Sequence, residues 1–211
     1  MRIPAFYPIL DTEAAARRGA SVVLAAEAIL NAGARILQFR HKGAFSRDVL
    51  AELERVAALC REARARLVVN DRADIARLTS AALHLGQQDL TPTDARRVVG
   101  ADTPIGFSTH NERQLREAAV QPVDYLALGP IFGTASKQNP DPVLGLEELR
   151  RLRPLSARPL VAIGGITRAN ARSVLSAGAD SVAVIGDLFP DGGDIRTRAE
   201  EWIKELSAGP L

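Results

Sequence analysis

Gln38, Arg40 and Lys42 alternate along one short stretch, QFRHK. In an extended chain they project to one side while Phe39 and His41 face the other. Burying such a row without partners costs several kcal/mol, so it belongs at a rim where it meets an anion; a salt-bridged plug inside the fold is the other arrangement open to it. Two carboxylates follow at comparable places, Asp71 in VVNDRADIA and Asp89 in HLGQQDL, each just past an apolar run. If those runs are neighbouring strands, their axes lie ~4.8 Å apart, close enough for the two carboxylates to share one cation. Hard oxygen ligands, completed by water and phosphate, suit magnesium. Asp71 also fits a helix N-cap, a common place for Asp after a strand. Asp74 and Asp94 read as first-turn residues of helices.

Later strand ends carry glycine: LVAIGGI reaches Gly164 and Gly165, and SVAVIGD reaches Gly186. Glycines there let a phosphate approach backbone N–H groups, or serve turn geometry alone. The Gly/Pro-rich segment 129–145 is long for an irregular connection and reads as an active-site loop. It offers the hydroxyls of Thr134 and Ser136 and the charge of Lys137, suited to a polyanionic substrate sealed from water. Ser108, Thr109 and His110 end another strand and can donate hydrogen bonds to a bound ring.

Several chemistries are disfavoured. His41 points away from the rim row, His84 lies within a strand and only His110 falls near the mouth, so zinc lacks closely spaced ligands. No GxSxG elbow supports a serine hydrolase, and neither GxGxxG nor a Walker loop supports nucleotide chemistry. What remains is a magnesium-dependent enzyme with two anion sites, which suggests the joining of two phosphorylated ligands with pyrophosphate leaving.

The elements that must position these residues alternate throughout. Strands are expected at 6–10, 35–40, 66–69, 82–85, 103–108, 124–129, 159–163 and 181–185, with amphipathic segments between them. That pattern predicts an α/β fold, a single (β/α)8 TIM barrel over residues 1–211, whose active site lies at the carboxyl ends of the strands. Val22, Ala26, Ile29 and Leu30 share one helix face; Val49, Leu53, Val56, Ala57 and Cys60 share another, which makes Cys60 a core residue. Thr91-Pro92 and Asn111 with Gln114 read as helix starts. The 211 residues, 46% of them hydrophobic, suffice for one core, and 27 basic side chains against 25 acidic leave little net charge. With 4% aromatic residues, a base-stacking nucleic-acid platform is not expected. No apolar run approaches bilayer length, and the start is too short and too interrupted by Pro4 and Pro8 for a signal peptide. A cytoplasmic location is expected, without membrane, nucleic-acid or obligate protein partners.

Taken together, QFRHKG, NDRADIA, HLGQQDL, GFSTH, GPIFGTASK, AIGGI and the VAVI strand end resemble, in order and approximate spacing, the thiamine-phosphate synthase (thiamine-phosphate pyrophosphorylase) family over nearly the whole chain. The resemblance implies a (β/α)8 barrel that joins 4-amino-2-methyl-5-hydroxymethylpyrimidine diphosphate to a phosphorylated, carboxylated thiazole, giving thiamine phosphate, pyrophosphate and carbon dioxide. It implies that Gln38, Arg40, Lys42, Asn70, Ser108 and Lys137 contact the pyrimidine diphosphate, with Lys137, Arg40 and Ser108 nearest the chemistry. Asp71 and Asp89 would hold Mg2+, while Thr134, Ser136, Gly165, Ile185 and Gly186 would take the thiazole phosphate. The implied mechanism is dissociative. This chain departs from the family pattern at His41, usually acidic, at Ser136, usually threonine, and at Gly186, often serine, where a side-chain hydrogen bond to phosphate is lost while the N–H remains. The alternatives are a thiazole tautomerase of the same superfamily, with His110 as its acid–base group, and a non-catalytic phosphate-ligand sensor. Retention of Asp71 and Asp89 favours the synthase.

Overall fold

The structure is a computed structural model that describes residues 2–134, 141–189 and 193–207. In chain order its elements are β1 Phe6–Asp11, α1 Thr12–Arg17, α2 Val22–Asn31, β2 Ile36–Arg40, α3 Arg47–Glu62, β3 Arg66–Asn70, α4 Ala73–Thr79, β4 Ala82–Leu85 and α5 Pro92–Val99. The second half contains β5 Ile105–Thr109, α6 Glu112–Ala119, β6 Tyr125–Leu128, α7 Gly145–Leu152, β7 Leu160–Ile163, α8 Arg168–Ser176, β8 Ser181–Val184 and α9 Ile195–Ser207. Every strand pairs in parallel with the next, and β8 returns to β1, so the sheet is a closed barrel. The expected strands are present, with ends shifted by a residue or two.

Parallel strands covered on both faces read as apolar runs because each face meets a different core. Outward residues such as Leu10, Leu37, Phe39, Leu83 and Leu126 pack beneath the helices. Inward residues Tyr7, Ile9, Ile36, Val68, Ala82, Tyr125, Ala127, Val161 and Ala183 fill the barrel axis. Large and small side chains complement one another inside: a Cβ on Gly106 of β5 would stand 2.0 Å from the Tyr125 ring, so only glycine leaves room for that tyrosine.

Side-chain caps begin several helices. Ser21, Ser46, Thr91 and Asn111 each accept a backbone N–H from the first turn. Gln114, expected to reciprocate at Asn111, instead accepts from the His110 N–H at 2.8 Å, one residue before the cap. Cys60 is buried on α3 as expected, and burial pushes its thiol up to about 12.

Candidate active site

The parallel register places the last residues of successive strands at one rim. Asp11 ends β1 opposite Arg40, which ends β2. Their side chains form an ion pair, while the other Asp11 oxygen accepts the Ala14 N–H at 2.7 Å and so caps α1. Lys42 lies just beyond β2, its Nζ 2.5 Å from Asp71 Oδ2. The row therefore combines both arrangements open to it: its cations sit at the rim, and each is paired with a carboxylate. Gln38 lies one layer deeper, 2% exposed, where its Nε2 donates to the Tyr7 hydroxyl at 3.0 Å. His41 faces away and bonds Thr12 Oγ1 through Nδ1 at 2.8 Å.

Asp71 follows β3 with φ of +65°, in the left-handed region, and its N–H donates to the His84 carbonyl at 2.8 Å. The N-cap of α4 is Arg72, with no side-chain cap bond, so the capping alternative for Asp71 falls away. Asp89 lies in the turn after β4, where the Gly86 N–H donates to its Oδ2 at 2.7 Å. Burial pushes the Asp89 carboxyl up to about 6, and the adjacent Asp71 carboxyl adds to that rise, against the lowering effect of the Gly86 N–H. The Asp71 carboxyl is near enough to hinder ionisation of Asp89, as expected of two groups sharing one cation. Among the described residues no cluster of three or more His, Cys, Asp or Glu forms a metal cage. At the end of β3, just before Asp71, Asn70 is buried and its Nδ2 has no hydrogen-bond partner among the described residues. A buried donor without a partner forfeits ~1–3 kcal/mol, which a ligand acceptor would restore.

Below the rim, a hydrogen-bonded chain crosses the barrel. From Gln38 it passes to the Tyr7 hydroxyl, which lies 2.7 Å from that of Tyr125. Tyr125 in turn bonds His84 Nδ1 at 3.0 Å, and His84 Nε2 lies 2.9 Å from Ser108 Oγ. The His84 ring stacks on Tyr125 at 5.5 Å between centroids. Burial holds this imidazole neutral by lowering its pKa to about 4, and raises Tyr7 to about 12. At neutral pH the floor is therefore an uncharged, aromatic and polar bed, chemistry suited to a flat heterocycle. Sequence reasoning passed over Asp11, Tyr7, His84 and Tyr125. A usable signal existed, because the chain has just two tyrosines and both sit in this network.

Across the mouth, the connection after β6 leans on β7: Ile131 N donates to Ile163 O at 2.9 Å and Phe132 N to Gly164 O at 3.0 Å. Side chains at Gly164 or Gly165 would collide with it, a Cβ lying 2.5 Å from Pro130 Cβ and 2.3 Å from Gly133 O respectively. These glycines thus make room for the connection itself, whatever else they admit. Thr134 stands half-buried at its described end, while Ser136 and Lys137 lie outside the described residues. Ile185 follows β8, and Gly186 opens a 3-10 turn through Leu188 that Trp202 anchors by donating to Asp187 Oδ2 at 2.8 Å. His110 Nδ1 donates to the Gly129 carbonyl at 2.7 Å.

One side of the mouth, from β1 to β4, therefore carries charge, and the other, from β6 to β8, offers glycine-bearing backbone turns. Comparison with known proteins adds an independent finding. The family model described as thiamine monophosphate synthase matches residues 6–188. The thiamine-phosphate synthase of Koribacter versatilis is 47% identical over 98% of this chain and 97% of its own, and that of Chlorobium phaeovibrioides is 42% identical over 85% and 86%. Among solved structures, thiamine phosphate pyrophosphorylase from Pyrococcus furiosus superposes with a TM-score of 0.84 at 33% identity, covering 95% of this chain and 94% of that one.

Proposed function

The chain belongs to the thiamine monophosphate synthase family, and from that premise we infer how its mouth is used. It is a transferase that condenses the aminopyrimidine diphosphate with the thiazole phosphate, giving thiamine phosphate and pyrophosphate. Both substrates are small phosphorylated molecules.

In our reading Arg40, Lys42 and Asn70 hold the diphosphate, with Lys137 joining them from the 129–145 connection. Gln38 and Ser108 orient the pyrimidine over the tyrosine–histidine floor. Thr134, Ser136 and the backbone at Gly165, Ile185 and Gly186 take the thiazole phosphate. The observation that carries this reading is the Asp71–Asp89 pair beside Lys42, next to the unpartnered Asn70 amide. Two close carboxylates, with no third acidic, His or Cys ligand among the described residues, fit a cation that keeps water and substrate phosphate in its shell, as Mg2+ does. Bound there, the ion would neutralise diphosphate charge.

The remaining chemistry follows from the chain's own residues. The C–O bond to the diphosphate breaks with its electron pair leaving on oxygen, and Arg40, Lys42 and Lys137 offset the charge that develops. The pyrimidine methylene carbon becomes cationic, stabilised by the ring amino group, and the thiazole nitrogen captures it; a carboxylated thiazole then loses carbon dioxide. No strong base is required. The demands are charge neutralisation, closeness of the nucleophile and exclusion of water. A neutral His84 beneath the ring adds no positive charge against the cation.

We take residues 1–211 as one barrel domain acting in the cytoplasm; among the described residues no helix is long and apolar enough to cross a membrane. The test mixes both substrates with magnesium or with a chelator and follows both products. Thiamine phosphate and pyrophosphate in equal amounts, abolished by the chelator, are expected. Isomerisation of the thiazole phosphate without coupling would transfer the reading to the tautomerase and to His110.

A further inference from the structure

At the opposite end of the barrel, where the strands begin, four arginines surround a cleft. Arg2 precedes β1, Arg35 precedes β2, and Arg64 and Arg66 lead into β3; with Pro4 and Ile36 they line a cavity of about 590 Å³. Several arginines elsewhere on the surface meet carboxylates, as in Arg96–Asp124, Arg153–Asp180 and Arg172–Glu205. None of the four has such a partner among the described residues; Arg35 donates only to the carbonyl of its neighbour Ala34, at 3.3 Å. The backbone holds two of them, Arg35 and Arg66, side by side. Arg66 N donates to Arg35 O at 2.9 Å, and Arg66 pairs in register with Ile36. Arg66 lies two residues before Val68 on β3 and so shares the strand face turned to the barrel axis.

Like charges fixed side by side without counter-charge repel one another, and that cost is relieved when an anion enters between them. Guanidinium groups recognise phosphate by paired hydrogen bonds. The cavity has the size of a small-molecule site, and the lining has no aromatic side chain on which a nucleic-acid base could stack. We propose that this cleft is a second anion site, separate from the catalytic mouth, for a compact small molecule bearing a diphosphate group. Free inorganic pyrophosphate and an organic diphosphate ester share that chemistry.

Binding can be measured without turnover, so its outcome is independent of the reaction assigned above. The full chain, with a chelator present at low salt, is titrated calorimetrically with inorganic pyrophosphate and, separately, with the pyrimidine diphosphate. The variants are Arg64→Gly, Arg35→Gln and, at the mouth, Lys42→Ala. Arg64 has φ of +52°, a conformation that glycine adopts without strain, so Arg64→Gly should fold at least as well as the parent. The expected result is a pyrophosphate site that persists in Lys42→Ala and weakens about tenfold in each of Arg64→Gly and Arg35→Gln. Tighter binding of pyrophosphate would identify the free ion as the ligand, and tighter binding of the ester, surviving Lys42→Ala, the organic form. No pyrophosphate binding, binding unchanged in both arginine variants, or binding lost in Lys42→Ala alone would overturn the proposal.

Discussion

Asn70 separates a binding role from a structural one more sharply than any other side chain at the mouth. Its buried Nδ2 has no partner among the described residues, so Asn70→Ala removes an unsatisfied donor and should leave stability within about 1 kcal/mol of the parent. The KM for the pyrimidine diphosphate should rise about tenfold, as expected for loss of a hydrogen bond to a charged ligand. A much lower melting temperature with unchanged KM would make Asn70 a structural residue. Arg40, Asp71 and Asp89 could be placed at the rim from period-two alternation and the ends of apolar runs, whereas Asn70 entered only through the family resemblance. Lysine usage was a further signal: three of the 27 basic residues are lysines, and one of them, Lys42, lies at the rim. Tyr7, His84 and Tyr125 could not be told from core residues by spacing, since a polar side chain satisfied inside a barrel has the same spacing as an apolar one; the scarcity of tyrosine was the one usable mark.

At the scale of the element, glycine decides how closely strands and connections approach. Gly106→Ala places a methyl group against the Tyr125 ring and should cost about 3 kcal/mol in chemical denaturation. Activity should fall as well, because the displaced tyrosine hydroxyl anchors His84. Gly133→Ala, with nothing within 4 Å of the added Cβ, should be neutral to within about 0.5 kcal/mol. Equal effects of the two substitutions would refute this account of the barrel interior. The strand–helix alternation was readable from hydrophobic runs and caps. That Ile131 and Phe132 extend the sheet along β7 was not, because backbone pairing leaves no mark on residue type.

For the whole molecule, the decisive feature is closure. Phe6 of β1 stacks on Trp202 of α9 with ring centroids 5.6 Å apart, and Trp202 also holds the turn after β8 through Asp187. The last helix therefore covers the seam where β8 meets β1. Trp202→Ala should cost about 3–5 kcal/mol and lower the melting temperature in a single transition, since the barrel opens as a unit. A separate early transition with activity retained would show that α9 is dispensable. The number and order of strands could be read from the sequence, but the partner of Trp202 could not, because nothing local connects residues 6 and 202.

How the mouth holds its first substrate would be seen in a crystal structure of the protein with Mg2+ and a non-reactive analogue of the pyrimidine diphosphate. The metal is expected at Asp71 and Asp89, the diphosphate against Arg40, Lys42 and Asn70, and the ring over the Tyr125–His84 floor within reach of Gln38 and Ser108. Density for the analogue away from these residues, with Asp71 still paired to Lys42 and no metal beside it, would contradict this arrangement.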